Sequence, residues 1–176
     1  MLMRWLIAGL IVALLAGCAG SGPRITKSVE FSEPAEKILY VVPFSTIMVP
    51  LDVEESVFDQ FVDVLNAQGA GSGYKFVILK QDLDTIDPAE LAEHYYLTGE
   101  IYGYVEESGC CSTNMRLKSR VRLFQPGQVE PTLQLSYPRE TFFEHDYSTI
   151  GNERRKLTAD ISATLAEGIL RALNAI

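Results

Sequence analysis

Four cations alternate along one short segment. In MRLKSRVRLF (115–124), Arg116, Lys118, Arg120 and Arg122 occupy every second position. Strand side chains alternate faces with a period of two, so these four point one way and Met115, Leu117, Ser119, Val121 and Leu123 point the other. The chain around them is acidic, with 15 Lys+Arg against 23 Asp+Glu and a net charge of −8. Such a stripe has two readings. One is a surface for an acidic partner, a glycan phosphate or a lipid head group. The other is an outward face paired across strands with Glu100, Glu106, Glu107 or Glu140, each exposed pair contributing ~0–1 kcal/mol.

Aromatic side chains crowd a second segment, YYLTGEIYGYVEE (95–107). Strict alternation puts Tyr102 and Tyr104 on one face with Tyr96 and Glu100. Leu97, Gly99, Ile101, Gly103 and Val105 take the opposite face, where the two glycines leave room for a helix. An exposed tyrosine face is a common recognition surface, and the alternative is that a second helix layer covers it.

The remaining reactive residues form no catalytic set. Cys110 and Cys111 are neighbours in the polar loop SGCCSTN. They lack the two-residue gap of a zinc knuckle or a thioredoxin motif, so no metal is expected. They could close a strained vicinal disulfide in an oxidising compartment, or be loop cysteines without activity. His94 and His145 are the only histidines and lie about fifty residues apart. Glu144 and Asp146 flank His145, but consecutive strand residues face opposite sides. GAGSG (69–73) leaves a helix and enters a strand, the reverse of a phosphate loop. With no G-x-S-x-G and no H-E-x-x-H, neither an enzyme nor a cofactor is expected. The acidic balance argues against a nucleic-acid partner.

The elements that must hold these residues are legible in the apolar periodicity. KILYVVPF (37–44) and YKFVILK (74–80) read as strands, as do 95–107, 115–124 and 132–145. Residues 51–69 place Val53, Val57, Phe61, Val64 and Leu65 on one helical face, with Asp52 as N-cap. Pro88 opens a short helix. Residues 152–175 step Leu157, Ile161, Leu165, Ile169 and Leu173 along a long closing helix with Asn152 as its cap. The order β-α-β-α-β-β-β-α predicts an α/β (α+β) domain. It has a mixed sheet of about five strands with helices packed on it.

The N-terminus carries an address. Trp5 to Leu15 is an 11-residue apolar run after Arg4. A spanning helix needs roughly 20 such residues, whereas this length suits a signal peptide. Leu15-Ala16-Gly17-Cys18 resembles the lipobox of bacterial lipoproteins. That resemblance implies cleavage after residue 17, acylation of Cys18, and a membrane partner held through the acyl chains, each buried CH₂ adding ~0.8 kcal/mol. Ala19, in place of an Asp, implies export to the outer membrane with the domain in the periplasm. Removing residues 1–17 takes away Arg4 and no acid, leaving 14 basic against 23 acidic side chains, a net −9. Residues 18–35 read as the acylated cysteine and a Gly/Ser/Pro-containing tether of at most ~60 Å. Residues 36–176 read as one periplasmic domain.

That domain resembles the envelope group that includes the TolB N-terminal domain, CsgG and LpoB. The resemblance rests on Pro43-Phe44 ending the first strand and on Thr98-Gly99-Glu100 leading into a long hairpin. His94-Tyr95-Tyr96 departs from the group, which often has an acid there. The resemblance implies a non-catalytic module that docks an envelope protein or complex. Pore-forming relatives use long hairpins with a lipid-facing side. Here the same residues alternate Arg and Lys with aliphatics and build the sheet, so a channel is not expected. The group's synthase activators need long tethers, and this one is short. The alternative is an auxiliary lipoprotein of an ABC-type lipid or solvent transport system, which would need an apolar groove between the last helix and the sheet. The sequence leaves the oligomeric state open.

Overall fold

Alternating segments of 12 to 13 residues dominate the architecture. In a computed structural model, which describes residues 22–27, 31–34 and 36–175, three long strands form an antiparallel meander. They are β5 (Tyr96–Ser108), β6 (Ser112–Phe124) and β7 (Leu133–Glu144). β2 (Ile38–Val41) and β4 (Lys75–Ile78) add in parallel on the β5 side. β3 (Ser45–Thr46) pairs with β5 just beyond β2, and β1 (Arg24–Lys27) pairs antiparallel with β7. The mixed sheet runs β1-β7-β6-β5-β2-β4, with β3 on the flank of β5.

The expected class holds, but among the described residues the sheet has seven strands rather than about five. Both additions are short and invisible to a pattern search. β3 is two residues long, and β1 is fully exposed, so it has no apolar alternation to betray it. β1 lies inside the stretch expected to be a tether. Its backbone pairs Arg24 with Ser136 and Lys27 with Leu133. Backbone hydrogen bonding to a sheet edge needs no particular side chains, which is why composition alone read a linker there.

Two helices cover one face. α1 (Leu51–Gly69) buries Val53, Val57, Phe61 and Leu65. α3 (Ile150–Asn174) buries Leu157, Ile161, Leu165, Ile169 and Leu173. They pack against each other as well as the sheet. Ser162 Oγ donates 2.8 Å to the Val57 carbonyl oxygen, and a fully buried serine lets the helices approach closely. The anticipated caps are displaced. α1 starts after Pro50 with no side-chain cap, and Asp52 sits in its first turn. α3 is capped by Thr149, whose Oγ1 accepts from the Asn152 N–H at 3.3 Å. Asp52 and Asn152 still favour their helix starts through the dipole and local bonding. α2 (Pro88–Ala92) is short, with Asp87 accepting from the Ala89 N–H at 2.9 Å.

Among the described residues, the sheet's other face is covered only at the β2 end. There Val42, Ile86 and Leu91 form a small second cluster with Leu79 and Tyr96. The outer face of the three long strands carries no helix among the described residues.

Candidate functional site

Each side chain of β6 is placed by the pleat. Thr113, Met115, Leu117, Ser119, Val121 and Leu123 are buried beneath the helices. Arg116, Lys118, Arg120 and Arg122 line the open outer face. Cross-strand neighbours hold three of them. Arg120 binds Glu100 through Nη2 at 2.6 Å and Nε at 2.8 Å, and Arg122 Nη2 reaches the same carboxylate at 3.4 Å. Arg122 Nε also donates 3.0 Å to Gln134. Arg116 Nη2 meets Glu107 at 2.9 Å. Glu140 takes the Asn114 amide at 2.7 Å.

The face is not fully satisfied. Lys118 is exposed and makes no ion pair among the described residues. Arg116 Nε and Asn114 Oδ1 are buried, one a donor and one an acceptor, and neither has a hydrogen-bond partner among the described residues. Buried polar atoms are nearly always paired, so two orphans on adjacent outward residues of an open strand call for an explanation. Arg116, Lys118, Pro138, Arg139 and Glu140 border a shallow depression at this place.

The two tyrosines are not neighbours on one face, as strict alternation requires. The register shifts between Ile101 and Gly103, so that Ile101 faces Ser119 and Gly103 faces Lys118. Tyr102 is the extra residue of a β-bulge. One inserted residue exchanges the faces of everything beyond it. Tyr102 stays outside, 39% exposed, with the Arg120 guanidinium 5.0 Å from its ring centre. Tyr104 turns inward. Its hydroxyl donates 2.7 Å to Glu106, and Arg154 Nε on α3 donates to both, at 3.1 Å and 3.0 Å. Arg154 also reaches Asp52 at the start of α1 at 3.3 Å. Burial, reinforced by the Glu106 hydrogen bond, pushes the Tyr104 phenol up to about 12. Tyr104 is therefore a strut between sheet and helices, not part of the outer surface. Glu106 leaves the stripe for the same reason.

The glycines part as well. Gly99 faces the core, where a Cβ would overlap the Phe44 ring, so Phe44 rather than a helix fills its space. Gly103, beyond the bulge, faces outward beside Lys118.

Cys110 and Cys111 sit in the β5–β6 turn as free, exposed thiols with their sulfurs 3.0 Å apart. Their mutual hydrogen bond raises the Cys111 thiol above the ordinary range. His145 Nε2 lies 2.8 Å from Thr113 Oγ1, and the His94 ring stacks obliquely on Tyr40 at 4.6 Å. Among the described residues no group of three or more His, Cys, Asp or Glu could hold a metal ion. No described helix is long and apolar enough to cross a membrane. The transport alternative needs an apolar groove between α3 and the sheet, and little space is left where the end of α3 meets it. The space lined by Phe31, Leu123, Leu133, Ala172 and Leu173 amounts to 10 Å³, about one water. Cys18 lies outside the described residues.

No protein-family model matches the chain, and no curated protein matches it in sequence. Solved structures do share its fold. A PelC dodecamer from Paraburkholderia phytofirmans aligns with a TM-score of 0.53 at 14% identity, over 82% of this chain and 96% of that one. A second crystal form of PelC gives 0.53 at 13% identity, over 82% and 98%. A lipoprotein from Neisseria meningitidis aligns at 0.46 and 11% identity, over 79% and 99%. What these likenesses define is the fold, which this chain shares with the PelC protomer.

Proposed function

We propose that this chain is a lipid-anchored lipoprotein of the cell envelope, held through Cys18 in the outer membrane. Its periplasmic domain acts as a non-catalytic docking and assembly module. The observation that carries the reading is the open outer face of β5, β6 and β7. It combines exposed Tyr102, unpaired Lys118, and the orphaned Arg116 Nε and Asn114 Oδ1. A partner presenting one acceptor to Arg116, one donor to Asn114 and a carboxylate or phosphate to Lys118 would complete the strand's unmet bonds. The fold's use in a dodecamer by PelC supports assembly as the kind of task this scaffold serves. The lipobox resemblance at Leu15–Cys18 supports the anchor.

The test is in-cell crosslinking from position 118 in the acylated protein, followed by identification of what is joined. Neutralising Arg116 and Arg120 together is expected to reduce capture while leaving the domain folded by circular dichroism. Undiminished capture removes the outer face from the reading. Cys18→Ser is expected to abolish palmitate labelling; persistent labelling overturns the anchor. A transport accessory that carries a lipid between α3 and the sheet is disfavoured by the 10 Å³ left there. Lipid extracted from the purified domain would reopen it.

A further inference from the structure

Five residues separate Cys18 from Arg24, six steps or at most ~20 Å of extended chain. Arg24 is fixed in the sheet opposite Ser136, at the level of Arg120 and Glu100. β1 runs antiparallel to β7, so the chain preceding Arg24 attaches at the end of β1 that lies toward the β7 terminus at Glu144. From Ser136 to Glu144 the strand rises eight residues, ~26 Å. An anchor at Cys18 therefore cannot reach past the tip of the three-stranded meander. The strand direction points the anchor toward this tip, and with the tip at the lipid a domain standing on its strands keeps Cys18 within reach of the membrane.

The same end collects the apolar surface. β3 runs parallel to β5 with Thr46 beside Ile101, so Ile47 and Met48 continue toward the tip. Asp52 meets Arg154, which meets Glu106, and so fixes Leu51 at that level. Val105, Phe142 and Tyr147 complete the group. These are six of the ten large apolar side chains exposed among the described residues, and Met48 is 96% exposed with a φ of 55°. A β-branched or bulky residue seldom holds such a backbone, and Met48 does so while presenting its side chain to solvent. The opposite end, by comparison, exposes Val129 in the β6–β7 loop.

Resting on the Cys18 anchor, we infer that this end, with Met48, Phe142 and Tyr147 at its rim, is a lipid-contacting surface that seats the domain upright on its membrane. The contact is apolar and aromatic rather than cationic. Arg154 and Arg116 at this end are neutralised by Glu106, Asp52 and Glu107, and Glu144 and Asp146 add further acid. The bilayer it fits is one rich in neutral head groups, with aromatic rings at the interface. The outer face of β5–β7 then stands perpendicular to the membrane, with Val105 and Phe142 at its lipid end and the Lys118–Arg122 part open.

The mature chain offers a clean probe, since Trp5 is the only tryptophan. Met48→Trp, Phe142→Trp, Tyr147→Trp and Val129→Trp would each be expressed as full chain and extracted from membranes. Each would then be reconstituted in phosphatidylethanolamine–phosphatidylcholine vesicles carrying brominated acyl chains. The expected result is loss of most fluorescence for the first three and none for Val129→Trp. The pattern should be unchanged by salt or by added phosphatidylglycerol. Vesicle flotation with palmitate labelling, but with Val129→Trp quenched as strongly as the others, overturns the orientation alone. Absent labelling and flotation overturn the anchor itself. Flotation with no probe quenched, and a larger assembly in detergent that Met48→Glu dissolves, assigns this end to a second copy and overturns the lipid contact.

Discussion

The two faces of β6 are one residue apart in sequence and obey different physics. Leu117 is fully buried beneath α1 and α3, while Lys118 next to it is exposed and unpaired. On the inner face, every methylene is removed from water and the neighbours cannot relax freely. On the outer face, charge pairs such as Arg120–Glu100 stay partly exposed and compete with solvent. Stability therefore resides on the inner face, and the outer face can take substitutions without unfolding the domain. The largest test of this contrast is Leu117→Ala, expected to cost ~2–5 kcal/mol in urea denaturation. Lys118→Ala should stay within about 0.5 kcal/mol. Equal losses would erase the distinction.

The same contrast applies to the two glycines astride the bulge. Gly99→Ala drives a methyl into the Phe44 ring and is expected to cost ~1–3 kcal/mol by overpacking. Gly103→Ala places its methyl 3.5 Å from the flexible Lys118 side chain and should be nearly neutral. If Gly103→Ala proved the worse of the two, the assignment of Tyr102 as the bulge residue would be wrong.

Tyr104 sharpens the comparison through pH. Its folded pKa, at about 12, lies above the ordinary phenol value of 10. The folded state therefore holds a proton that the unfolded chain releases. This contribution is complete below pH 10 and is lost as pH rises from 10 toward 12. Tyr104→Phe is expected to flatten that alkaline decline, and an undiminished decline in the variant would assign it to other groups. Glu100→Gln should have the smallest effect, ~0–1 kcal/mol and diminished by salt, because its two arginines are partly hydrated. A salt-independent loss larger than that would mean that the outer face is not a solvated surface.

Much of this molecule follows from local pattern. The apolar steps from Leu157 to Leu173 and from Val53 to Leu65 mark two helices and the sides they bury, because a 3.6-residue period is a property of the segment itself. The alternation of 115–124 likewise separates Leu117 from Lys118. The resemblance of Leu15-Ala16-Gly17-Cys18 to a lipobox is also read wholly from sequence.

Tertiary structure alone decided the rest. β1 carries no apolar signature, and it became a strand only because β7 offered an unpaired edge. Tyr102 and Tyr104 were assigned to one face because alternation assumes an unbroken ladder, yet a bulge exists only relative to the partner strand that is one residue shorter. That single inserted residue sent Tyr104 and Glu106 to Arg154 on a helix some fifty residues away, and left Tyr102 on the open face. A period is local and can be read along the chain. A register is a relation between two strands and is set only when they meet.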